Sequence, residues 1–112
     1  MPIQNADYSD LNYDDMAAAI GLKVKHMPML TGSFVEESTE IIKSLSDAIN
    51  SNDFKTIKAN AHSIKGSAGN LKFNEVYEMA KEMEHSAEQS DTSFEYNAYL
   101  EAIKTAINTI PN

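Results

Sequence analysis

Residues 54–71 read FKTIKANAHSIKGSAGNL, and the spacing of their apolar positions decides the kind of chain this is. Phe54, Ile57, Ala61, Ile64, Ala68 and Leu71 recur at intervals of three and four. That period lines up one side of an α-helix; in a strand, alternate residues would share a face. Ser51-Asn52-Asp53, just before, breaks the pattern and offers an N-cap. Inside the helix stand Gly66 and Gly69, each costing about 1 kcal/mol against alanine.

The same period continues in both directions. Upstream it predicts a helix over about 25–50, with Met27, Leu30, Phe34, Ile41, Leu45 and Ala48 on one face. Thr31 and Ser38 fall on that face too, and Pro28 is tolerable in the first turn. Downstream, a tight turn leads to a helix over about 74–90, with Val76, Tyr77, Ala80, Met83 and Ala87 inward. A last helix, about 94–109, turns Tyr96, Tyr99, Leu100, Ile103, Ala106, Ile107 and Ile110 inward, with Ser93 as its cap and Pro111 as its stop. A short helix, about 13–20, begins after Asn12, carries Asp14 and Asp15 in its first turn and stops at Gly21. Residues 1–11 have no period and read as an ordered tail or lid. The expectation is one all-α domain over residues 1–112: an antiparallel up-down four-helix bundle with a short N-terminal capping helix.

Composition narrows the function. There is no cysteine, which excludes disulfides, thiolate metal sites and thiol catalysis. Nine lysines, no arginine and seventeen acids give a net charge of −8, against a nucleic-acid partner. No apolar run approaches the roughly 20 residues of a membrane span, and the polar, acidic start does not read as a signal peptide. A monomeric, cytoplasmic protein is expected. No phosphate-binding glycine loop, kinase glycine loop or paired-carboxylate metal site is present, which argues against a self-contained enzyme.

The chemistry gathers around His62. Ala59 precedes it by three residues, and Gly66 and Gly69 follow by four and seven. On a helical wheel all three lie within about 60° of it, and His62 points about 130° from the apolar stripe. The imidazole therefore stands on a surface stripped of side chains, with Lys65 and Lys58 the long residues left beside it. A neutral imidazole is a nucleophile toward phosphoryl groups. An ammonium one turn away stabilises the charge that arrives, and bare backbone lets another protein's active site come close enough for in-line attack. Glu84 lies within about 50° of the next helix's apolar stripe, where a carboxylate needs a partner. An antiparallel turn near 72–73 brings it level with His62. There it would accept from Nδ1–H, fix the tautomer and leave the Nε2 lone pair outward.

The run AHSIKGSAGN at 61–70, followed by Ala80, Met83 and Glu84, resembles the histidine-containing phosphotransfer (HPt) family of bacterial phosphorelays. That family is marked by His-x-x-Lys-Gly with small residues and a second glycine after it. Length, helix count and motif position extend the resemblance over nearly the whole chain. It implies a bundle whose histidine takes a phosphoryl group from a receiver-domain aspartate, usually of a hybrid sensor histidine kinase. The group then passes to, or back from, another response-regulator receiver. By the motif, His62 is the phosphorylated residue and Lys65 and Gly66 are its phosphate-side neighbours. The family commonly has Glu or Gln at the position of Glu84. No cofactor is implied on this chain, the magnesium ion belonging to the partner receiver. The alternative is a non-catalytic helical-bundle interaction module.

The receiver's docking surface is expected to include Lys58, Ala59 and Gly69 with residues among Met27, Leu30, Thr31, Phe34, Val35, Ser38 and Ile42. The competing expectation is burial of that edge under the short helix, and for Lys58 a merely solvated lysine. Ser63, Ser67, Asn70, His26 and His85 read as surface residues. A metal site from His62, Glu84 and His85 is disfavoured, because neighbours on a helix point about 100° apart. Met1, Met16, Met27, Met29, Met79 and Met83 read as gap-fillers or docking surface.

Overall fold

Four helix ends share one device. Ala17 O accepts from Leu22 N at 3.1 Å, Ala48 O from Asp53 N at 2.9 Å, Ala68 O from Phe73 N at 2.9 Å, and Ser86 O from Asp91 N at 3.0 Å. The residue before each donor is left-handed: Gly21, Asn52, Lys72 and Ser90, at φ 74°, 55°, 64° and 51°. This backbone pairing satisfies carbonyls that a helix end leaves open and reverses the chain at once. Glycine takes the conformation freely, whereas Lys72 and Ser90 hold it at a cost of about 1–2 kcal/mol each.

The computed structural model describes residues 3–111, and among these every regular element is helical. The helices are α1 Tyr13–Ile20, α2 Met27–Asn50, α3 Phe54–Asn70, α4 Asn74–Glu88 and α5 Tyr96–Asn108, with a 3-10 turn, Val24–His26, leading into α2. Side chains of Asn12 and Asp53 cap α1 and α3 by accepting from Asp15 N and Thr56 N. α2 packs on α3, α3 on α4, α4 on α5 and α5 back on α2, while α1 lies against α2 and the 3-10 turn. The ring encloses Met27, Leu45, Ile57, Ile64, Phe73, Met79, Met83, Ile103 and Ile107, all fully buried. Each contributes about 1.5–3 kcal/mol of apolar burial. Of the other methionines, Met16 is buried and Met29 exposed; Met1 lies outside the described residues.

Some helix ends differ from expectation. Lys25 and His26 belong to the 3-10 turn, so α2 begins at Met27 rather than near 25. α3 stops at Asn70 and α4 at Glu88 because Leu71 and Gln89 already serve as their C-caps. Ser93 does not cap the last helix: its backbone N and its Oγ both donate to Asp91 Oδ1, at 2.9 and 2.6 Å. Phe94 instead turns into a ring cluster, 4.9 Å from Tyr96 and 4.4 Å from Tyr99, and α5 starts at Tyr96.

The aperiodic segment before α1 is tied down by Tyr8. Its backbone N donates to Thr109 Oγ1 at 2.8 Å. Its hydroxyl donates to Glu75 Oε1 at 2.9 Å and accepts from Val76 N at 3.4 Å. Burial, then the bond to Glu75, push this phenol's pKa well above the usual range. The Tyr8 ring packs on Phe73 at 4.8 Å, and Phe73 packs on Phe34 of α2 at 5.2 Å. Tail and α3–α4 corner thereby pack onto the N-terminal half of α2.

Candidate functional site

Three contacts fix the register of α3 against α4. Lys58 Nζ lies 3.8 Å from Glu88 Oε1, His62 Nδ1 lies 2.8 Å from Glu84 Oε2, and the backbone of Gly69 lies against the Tyr77 ring. As the α3 number rises from 58 to 62 to 69, the α4 number falls from 88 to 84 to 77. The two helices run antiparallel with no slip.

At the centre of this ladder Glu84 holds two groups at once. Its Oε2 faces His62 Nδ1, and its Oε1 lies 2.6 Å from Lys65 Nζ. Burial acts to raise the Glu84 carboxyl pKa; hydrogen bonds from Lys65 and His62, together with their charges, outweigh it and hold the pKa below the usual carboxylate value. An ionised carboxylate can only accept. The hydrogen of the shared bond is therefore on Nδ1, and in the neutral ring the lone pair is then on Nε2. With 66% of its side chain exposed, against 25% for Lys65 and 15% for Glu84, His62 is the outermost of the three. The bond to Glu84 holds the Lys65 ammonium pKa above the ordinary lysine value, against desolvation.

This arrangement carries a pH signature. A carboxyl whose folded pKa is depressed stabilises the fold fully above its unfolded pKa, and loses that contribution as pH falls through the folded value. Melting between about pH 5 and pH 3 should therefore cost the native protein more than Glu84→Gln, whose amide does not titrate. Parallel melting curves for the two proteins over that window would remove the charged bridge.

The remaining residues divide. A Cβ built on Gly66 would meet nothing within 4 Å, and Ala59 and Ser63 beside it are exposed. Gly69 is different. A Cβ there would come 3.1 and 3.3 Å from Tyr77 Cδ1 and Cε1, so its missing side chain seats a tyrosine as well as thinning the surface. Lys58 pairs with Glu88 at the open surface, where such pairs contribute little. Met27, Phe34 and Ser38, expected in the docking patch, are buried along with Thr31. That face of α2 meets the core, and Phe34 meets the Phe73 ring that Tyr8 covers. Leu30, Val35 and Ile42 are half-buried. The exposed large apolar residues are instead Leu22, Val24 and Met29, at 51%, 43% and 63%. Leu22 and Val24 were legible as apolar residues stranded between the Gly21 stop and Pro28, with no helix face to serve. His26 and His85 are exposed. Among the described residues no three His, Cys, Asp or Glu side chains converge to hold a metal ion, and no helix is long and apolar enough to cross a membrane.

A family model described as Hpt domain matches residues 29–110. No curated protein and no solved structure matches the chain significantly.

Proposed function

Because the chain belongs to the Hpt domain family, the histidine phosphotransfer modules of phosphorelays, we propose that His62 is its phosphoryl acceptor. The donor is the aspartyl phosphate of a receiver domain, usually of a hybrid sensor histidine kinase, and the group passes to, or back from, another response-regulator receiver. One observation carries the assignment: His62 bonds an ionised Glu84 through Nδ1 at 2.8 Å while most of its ring stays exposed, and Gly66, one turn on, leaves open space beside it.

In the step so defined, the Nε2 lone pair attacks phosphorus in line. The bond from phosphorus to the aspartate oxygen breaks, and its electron pair leaves with the carboxylate. The ring keeps its Nδ1 proton and gains a positive charge, which the Glu84 carboxylate offsets at 2.8 Å. Lys65 fixes the other oxygen of that carboxylate and adds positive charge one turn from the arriving phosphoryl group. Gly66 lets the receiver's surface approach closely. The chain acts as a carrier and not as a kinase. It holds no metal of its own, and the magnesium ion belongs to the receiver.

The same reading takes α2–α5 as an up-down antiparallel bundle with α1 as its cap, supported by the ring of contacts and the abrupt reversals. It takes the protein as a monomer in the cytoplasm, with no nucleic acid or membrane partner. The test is phosphotransfer profiling against the phosphorylated receiver domains of the chain's own genome. Acid-labile, alkali-stable phosphate on His62 is expected with at least one. None with any receiver would leave a non-catalytic interaction module in its place.

A further inference from the structure

The α3–α4 ladder has a fourth rung that the motif does not use. Between the rung of His62 and Glu84 and that of Gly69 and Tyr77, the same register sets Lys65 opposite Lys81. Two lysines thus stand close to Glu84, three residues from Lys81 on its own helix, and Lys65 already holds that carboxylate at 2.6 Å.

The helical wheels say how the four groups are arranged. Relative to the buried stripes Ile57, Ala61, Ile64, Ala68 on α3 and Val76, Ala80, Met83, Ala87 on α4, Lys65 and Glu84 each lie about 70° off centre. His62 and Lys81 each lie about 130° off centre. The groove between the helices therefore has an inner pair and an outer pair. The inner pair is the 2.6 Å bridge of Lys65 and Glu84. The outer pair is His62 and Lys81, both exposed. Lys81 is displaced from the His62 level by three residues, about 4.5 Å along the axis, within reach of a flexible four-carbon stem. Of the three lysines around His62, Lys58 has Glu88 and Lys65 has Glu84. Lys81 has no counter-ion among the described residues.

We propose that Lys81 is a second cation of the phosphoryl site, contacting the phosphoryl oxygens on Nε2 while Lys65 stays on Glu84. The proposal rests on phosphotransfer through His62 and adds a catalytic residue to it. The inner lysine is already partly neutralised by its carboxylate; the outer one brings a full charge to the side from which the phosphoryl group arrives.

The experiment compares Lys81→Gln and Lys81→Arg with Lys104→Gln, an exposed lysine of α5 that alters net charge equally. Two donors are used: a phosphorylated cognate receiver, and phosphoramidate, which needs no docking surface. Lys81→Gln is expected to slow phosphorylation of His62 roughly three- to tenfold with both donors, Lys81→Arg to restore it, and Lys104→Gln to leave it unchanged. A rate in Lys81→Gln equal to the native one overturns the proposal. So does slowing with the receiver alone, which makes Lys81 a docking contact. An unaltered protein that takes no phosphoryl group from either donor fails the phosphotransfer reading itself and is told apart by that.

Discussion

His62→Gln is expected to take up no phosphoryl group from any donor and to fold as the native protein does. The imidazole is exposed, and its Nδ1 is hydrogen-bonded to Glu84. A glutamine amide can still donate to that carboxylate, so neither Glu84 nor Lys65 loses its setting. Surface substitutions that leave such features intact stay within about 0.5 kcal/mol, so the melting temperature should hardly move. Radiolabel transfer and thermal melting on the same preparation check both halves. Phosphate that persists in His62→Gln, stable to alkali and labile to acid, would move the acceptor elsewhere.

Gly66→Gln should separate stability from activity. A Cβ at this position meets nothing within 4 Å, and glutamine is the better helix former by somewhat less than 1 kcal/mol. The variant should therefore be slightly more stable. Its side chain, one turn beyond His62 on the same outer face, stands where the receiver must approach. In-line attack tolerates little displacement, and transfer should fall at least tenfold. Phosphoramidate, being small, should lose much less. A variant that transfers at the native rate from a receiver would mean that the cleared surface is incidental. The neighbouring glycine gives an instructive contrast, since any side chain at Gly69 must first displace the Tyr77 ring.

The four longer helices were legible because apolar residues at intervals of three and four repeat from residue 27 to residue 110, with few breakers between, and α1 was legible from its Asn12 cap and Gly21 stop. The meeting of His62 with Glu84 was legible as well, because a tight turn near 72–73 leaves an antiparallel pair little freedom of register. What could not be read was sidedness. The broad apolar face of α2 looked wide enough to leave one edge for a partner. Aperiodic residues fill part of it: Tyr8 packs on Phe73, and Phe73 on Phe34. A tail without period gives no hint of where it lies. The bond from Lys65 to Glu84 was hidden for a related reason. A wheel reports direction, not partner, and the lysine's ammonium turned inward to share Glu84. Ser93 failed as a cap because Asp91, two residues earlier, competes for it with a charged acceptor.

The α3–α4 ladder also bears on the order in which the molecule assembles. Every rung lies within residues 58–88, and the decisive bond joins positions 22 apart in sequence. The bond that secures the tail, from Tyr8 N to Thr109, joins positions 101 apart. Closing the longer loop costs about 1.4 kcal/mol more in chain entropy, and contacts that are near in sequence form sooner. His62 and the carboxylate it bonds thus belong to a local hairpin, formed from neighbours soon after they exist. The tail arrives late, as a seal on the α3–α4 corner. Chemistry here is encoded in the part of the chain that has least to search for.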